Sequence, residues 1–164
     1  MRLYFLRHAA ALDGPDDALR PLSPEGRQQA RKLARFLKRG GIRFDLAFTS
    51  PLVRARETMD LVLPITNAEQ PIKPQPASAL LNETSAAQFA NWLARLPRTA
   101  GHVLLVGHEP TLSERVRWLL GLLNEEALEL RKGAIACIRT EDLRSGSLKF
   151  LITPKLLGAG RNAT

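Results

Sequence analysis

Four residues have the types and placement to do chemistry together: Arg7, His8, Arg54 and His108. Arg7-His8 directly follows a short apolar run, Leu3-Tyr4-Phe5-Leu6. Arg54 falls in the first turn of a helix expected after Ser50-Pro51, and His108 follows the apolar run Val103-Leu104-Leu105-Val106. A neutral imidazole carries a lone pair that can attack phosphorus. Guanidinium forks grip phosphate oxygens two at a time. Neighbouring cations disfavour protonation of the imidazole. The same cations stabilise charge on the equatorial oxygens where phosphoryl transfer needs it most. The set is therefore suited to a dianionic phosphoryl group or another anion. No acid or second histidine stands at a standard zinc spacing from His8 or His108, so no metal and no cofactor is expected.

These side chains meet only if the strand ends meet. Residues 3–6 read as a strand buried on both faces. Ser23-Pro24-Glu25 opens a helix: serine caps, proline suits the first helical position, and glutamate complements the dipole. Ala30, Leu33, Ala34 and Leu37 form its apolar stripe, and Gly40-Gly41 ends it. Residues 45–49 predict a second strand. Ser50-Pro51 repeats the cap-plus-proline signal and predicts a helix to about Leu63. Residues 64–76 predict loop with a short strand near Ile72. Residues 84–96 read as helix, 97–101 as a turn and 102–106 as the strongest strand. Gly107-His108-Glu109-Pro110 breaks that strand, and a helix follows to about Leu123. Residues 134–140 and 147–153 predict a hairpin, and residues 154–164 a loosely ordered tail.

Strands alternating with helices predict an α/β fold, a mainly parallel sheet between helical layers with an antiparallel edge. Ligands bind such sheets outside the carboxyl ends of the strands. Arg7, His8, Arg54 and His108 converge there, beside helix N-termini near Pro51 and Pro110 that favour anions.

A length of 164 residues fits one domain, with its core expected over residues 1–153. Apolar residues make up 45%, as in globular chains. Cys137 is the single cysteine, which excludes an internal disulfide and predicts a buried apolar role. The first apolar run is too short for a signal-peptide core, and no run reaches the roughly 18 residues of a membrane span. A cytoplasmic setting and no membrane partner are expected. The net charge of +8 suits an anionic substrate, an acidic protein or a nucleic acid. With aromatics at only 5%, base stacking has little to work with, and nucleic acid is disfavoured. Residues 27–43 carry seven cations and no acid, with Arg27, Arg31, Arg35 and Arg39 recurring every four positions. That stripe reads as a solvated face, or as a docking surface for an acidic partner.

Leu6-Arg7-His8-Ala9, then Thr49-Ser50-Pro51-Leu52-Val53-Arg54-Ala55-Arg56-Glu57-Thr58, then Val106-Gly107-His108-Glu109-Pro110 resemble the histidine phosphatase superfamily. The chain length, the segment Arg20-Pro21-Leu22-Ser23-Pro24-Glu25-Gly26 and the stretch Lys132-Gly133-Ala134-Ile135 resemble its short phosphohistidine phosphatases of the SixA type. The resemblance implies a three-layer α/β/α sandwich of the phosphoglycerate mutase-like kind. It implies that His8 is phosphorylated, that Arg7, Arg20 and Arg54 hold the phosphoryl oxygens, and that His108 is the second histidine of the pocket. It also implies a protein bearing phosphohistidine as the partner.

The sequence departs from the family pattern twice. Ala9 stands where the family usually has glycine, so a backbone conformation open to alanine is expected there. Larger members carry an acid in the middle segment. The nearest candidate here, Glu83, lacks the surrounding pattern and reads as part of the next helix's first turn. A site without an acid suits a phosphoramidate, because imidazole leaves more readily than an alkoxide. The alternatives are a small-molecule phosphomonoesterase and a phosphate-binding module without turnover.

Overall fold

The continuous apolar runs of the central strands demand cover on both faces, and the chain supplies it. The computed structural model describes residues 1–158. Strands β1 (Arg2–Arg7), β2 (Leu46–Thr49), β3 (Gln75–Pro76), β4 (His102–Gly107), β5 (Ile135–Arg139) and β6 (Ser147–Ile152) form one sheet in the order β3-β2-β4-β1-β5-β6. The first four strands run parallel; β5 and β6 are the antiparallel edge. The helices are α1 (Pro24–Arg39), α2 (Val53–Thr66), α3 (Ala86–Leu93) and α4 (Thr111–Leu120).

Alternation along the strands sorts side chains into two cores. Leu3 and Phe5 of β1, with Val103 and Leu105 of β4, pack against Phe89 and Leu93 of α3 and Leu112 and Val116 of α4. Tyr4 and Leu6, with Leu104 and Val106, pack against Leu33 and Leu37 of α1 and Met59 and Val62 of α2. The result is the expected α/β/α sandwich. Cys137 lies within the second core as a buried apolar side chain. No helix among the described residues is long and apolar enough to cross a membrane.

Local signals held at α1, where the Ser23 side chain accepts from the Gly26 amide at 3.0 Å and Pro24 opens the helix. Other boundaries moved. Helix α2 begins at Val53 without a side-chain cap: its N-cap position is Leu52, and Ser50 lies two residues earlier, its Oγ accepting from the Leu52 amide at 3.3 Å and meeting His108. It continues past Pro64 to Thr66, since Met59, Val62, Leu63 and Thr66 are all buried and their packing outweighs one lost backbone bond. The short strand falls at Gln75–Pro76, paired with Phe48 and Thr49, while Ile72 only packs against the core. Helix α3 is shorter than expected, fixed at its start by a capping box between Ser85 and Gln88. Helix α4 stops at Leu120, where Gly121 takes a left-handed φ of 67° and Leu123 beyond it is fully exposed.

The expectation of a loosely ordered tail does not hold at its beginning. Pro154–Leu157 forms a 3-10 turn with Pro154 buried, and the Lys32 side chain donates to the Gly158 carbonyl. The rest of that tail, residues 159–164, lies outside the described residues.

Candidate active site at the strand ends

The carboxyl ends of β1, β2 and β4 lie side by side, as the parallel register requires. Arg7 pairs with Gly107 and Thr49 with Val106. The ladder runs on past the strands: the His8 amide donates to Gly107 O at 3.1 Å and the Ser50 amide to Val106 O at 2.9 Å. The exit after His8 is clamped from both helices of one layer. The Ala9 amide donates to Thr58 Oγ1 at 3.1 Å, and the Ala10 amide to Gln29 Oε1 at 3.0 Å. Gly26 makes the clamp possible, because a Cβ there would lie 1.9 Å from the Ala10 carbonyl oxygen. Ala9 is fully buried with an ordinary negative φ, so alanine fits where the family pattern has glycine.

His8 Nδ1 lies 2.8 Å from Ala9 O, which can only accept. The ring proton therefore sits on Nδ1 and the lone pair on Nε2. Arg54 Nε donates to that Nε2 at 3.3 Å. Burial lowers the His8 pKa to about 4, and Arg54, Arg7 and Lys132 push in the same direction. The His8 ring is thus kept neutral, chiefly by desolvation and secondarily by the cations expected from the sequence.

His108 faces it, with ring centroids 5.0 Å apart and planes tilted by 49°. Its Nε2 is hydrogen-bonded to Ser50 Oγ at 2.7 Å. Burial lowers its pKa to about 3, with His8, Arg54 and Arg7 adding to the shift and Asp17 opposing it. Arg7 donates through Nη1 to Leu130 O at 2.8 Å. Arg7 Nε and His108 Nδ1 are buried side-chain nitrogens without a partner among the described residues. Buried nitrogens of this kind are satisfied by a ligand or by water.

Arg20 is not part of this cluster. Its Nε donates to Leu12 O at 2.8 Å, Nη1 to Asp17 at 3.0 Å and Nη2 to Asp13 at 3.1 Å. It reaches the site only through Asp17, whose main-chain O and Oδ2 accept from Arg54 Nη1 and Nη2 at 2.6 and 2.9 Å. Glu83 is exposed and lies before the helix cap, so it does not serve the first turn of α3. Glu109 is half-buried, with its carboxyl pushed up by burial and bonded to Ser113 Oγ at 2.8 Å.

Sequence reasoning missed Ser50 and Asp17. Ser50 carried a signal, but the Ser-Pro pair read as a helix cap. Asp17 lies in a polar loop, where no pattern distinguishes one carboxylate from its neighbours.

A lone pair on one imidazole, a second neutral imidazole beside it and two guanidinium groups can receive a phosphoryl group and neutralise its charge. The model of the histidine phosphatase superfamily (branch 1) matches residues 3–83. An uncharacterized protein of Picosynechococcus is 32% identical, the match covering 96% of this chain and 99% of the relative. The phosphohistidine phosphatase SixA of Escherichia coli is 26% identical, with 94% of each chain covered. Among solved structures, the protein histidine phosphatase SixA complexed with tungstate superposes with a TM-score of 0.86 at 24% identity, over 96% of this chain and 99% of that one. A putative α-ribazole-5'-P phosphatase from Escherichia coli shares the fold, with a TM-score of 0.73 at 22% identity over 94% of this chain and 97% of that one. Motif residues converging at the strand ends, a family match over the segment that holds Arg7, His8 and Arg54, and relatives aligned almost end to end agree: the chain belongs to the histidine phosphatase superfamily.

Proposed function

We propose that this protein is a phosphohistidine phosphatase acting on a histidine of another protein. His8 Nε2 attacks phosphorus as the bond from phosphorus to the substrate imidazole breaks, and that imidazole leaves with the electron pair and takes up a proton. Water then attacks the phosphoryl group on His8, releasing inorganic phosphate and the neutral ring. Arg7 and Arg54 stabilise the charge on the transferring oxygens, and His108 Nδ1 offers a further polar contact. The observation that carries this reading is the His8 ring, with Nδ1 held at 2.8 Å by Ala9 O and Nε2 left to the cationic side of the pocket.

The choice of a phosphoramidate over a monoester rests on the leaving group. An alkoxide gains about 10²–10⁴-fold from a general acid, whereas imidazole needs far less help. Glu83 is exposed, Glu109 is bonded to Ser113, and Asp17 is held as the anion by Arg20 and Arg54, so among the described residues no carboxyl is poised as an acid to protonate an alkoxide. The likeness to SixA over 94% of each chain favours the same substrate class. The reading places the enzyme in cytoplasmic signalling through histidine phosphorylation, without a metal.

Turnover of a histidine-phosphorylated protein and of an alkyl phosphate such as phosphoserine, each with and without EDTA, tests it. Phosphohistidine should be preferred by at least about 100-fold in kcat/KM, unaffected by chelation. Preference for the ester, or loss on chelation with recovery on adding metal, would overturn it.

A further inference from the structure

Beside His8, on the side of β5, lies a groove of about 660 Å³ whose walls include Arg7, Arg131, Lys132, Lys155, Pro154 and Glu129. Its charge is one-sided, with four cations against one carboxylate. Arg131, Lys132 and Lys155 are exposed, and none forms an ion pair among the described residues.

Three features separate this groove from a merely solvated face. Its walls are tied to the catalytic strand: the Gly133 amide donates to both Arg7 O and His8 O, at 3.2 and 3.0 Å. They are also tied to each other, because a Cβ on Gly133 (φ +74°) would lie 2.9 Å from Pro154 Cγ and 3.2 Å from Gln29 Oε1. Finally, the groove is continuous with the site. Arg7 lines it with a buried, unpartnered Nε, and Lys132 acts electrostatically on His8. A bound phosphohistidine would carry its flanking residues past these cations.

We infer that the groove docks an acidic segment next to the phosphohistidine of the substrate protein, with Arg131, Lys132 and Lys155 as its recognition charges. The inference rests on the phosphohistidine reading above and adds to it a substrate selectivity. Complementary charge steers encounter and penalises partners of the wrong sign, and it weakens with salt.

The test compares two phosphohistidine peptides that differ only in their flanks, glutamate and aspartate in one, glutamine and asparagine in the other, with free phosphohistidine as a third substrate. The native protein should prefer the acidic peptide by about 10-fold in kcat/KM, as two exposed charge pairs would give. That preference should shrink in high salt. The double substitution Arg131→Glu with Lys155→Glu should abolish or invert it while leaving free phosphohistidine within about twofold, which also reports that the variant is folded. Equal rates on the two peptides with the native protein, or a preference that survives the double substitution, would overturn the docking inference alone. No turnover of any of the three by the native protein would overturn the phosphohistidine reading and this inference with it.

Discussion

Asp17 holds the guanidinium of Arg54 by two atoms, its main-chain oxygen on Nη1 at 2.6 Å and its carboxylate on Nη2 at 2.9 Å. The third nitrogen, Nε, is the one that reaches His8. An incoming phosphoryl group must therefore share or displace the contacts of a carboxylate that is itself 65% exposed.

Asp17→Asn keeps a carbonyl acceptor for Arg54 and removes the negative charge that faces the ligand. Inorganic phosphate should inhibit this variant about fivefold more tightly, the size of one exposed charge interaction. Inhibition constants at low and high salt check it. Unchanged or weaker inhibition would mean that Asp17 does not compete with the ligand.

Arg54→Ala removes the donor to His8 Nε2 and one charge from the phosphoryl cradle. The rate should fall about 10²–10³-fold, as on losing an oxyanion-hole contact. Arg54→Lys should recover little of it, because a point charge cannot reproduce the fork. A loss under about fivefold would place Arg54 outside the chemistry.

Burial lowers His8 to about 4 and His108 to about 3, against the ordinary 6.5. His8 stays neutral through the weakly acidic range, so the acid limb of kcat/KM, corrected for substrate ionisation, should fall near pH 4 rather than 6.5. For stability the sign is fixed: below 6.5 the unfolded chain binds protons that the folded one refuses. The contribution of these rings is full above 6.5 and is lost as pH falls through about 4 for His8 and about 3 for His108. Melting temperatures should decline across that window, and His8→Asn should flatten the decline.

Glu83→Gln should change phosphohistidine turnover by less than about threefold, since the side chain is exposed and the leaving imidazole needs little help. A loss of about 10²-fold, larger for alkyl phosphates, would make Glu83 a general acid and move the substrate toward monoesters.

Much of this architecture is legible in local pattern. The run Leu3-Tyr4-Phe5-Leu6 reads as a strand covered on both faces, and the sheet places it at the centre, between β4 and β5. Arg7, His8, Arg54 and His108 each follow a strand or open a helix, and parallel register carries them to one place. What the sequence does not display is the partner of each polar side chain. Ser50 sits where a cap would be, yet its hydroxyl meets His108, 58 residues away in sequence. Arg20 matches a family position, but Asp13, Asp17 and the Leu12 carbonyl take all three of its nitrogens. The neutrality of His8 is expected from its cations, while the larger cause is burial, a property only the folded chain has.

The central claim is that His8 carries the phosphoryl group in mid-reaction, and trapping it is the most direct measurement. Native protein mixed with ³²P-labelled phosphohistidine protein and quenched within milliseconds should yield labelled enzyme whose label is lost in acid and retained in alkali. Mass spectrometry should place the phosphoryl group on His8, and His8→Ala should show neither label nor turnover. Near-normal turnover in His8→Ala, or label on another residue, would contradict the account.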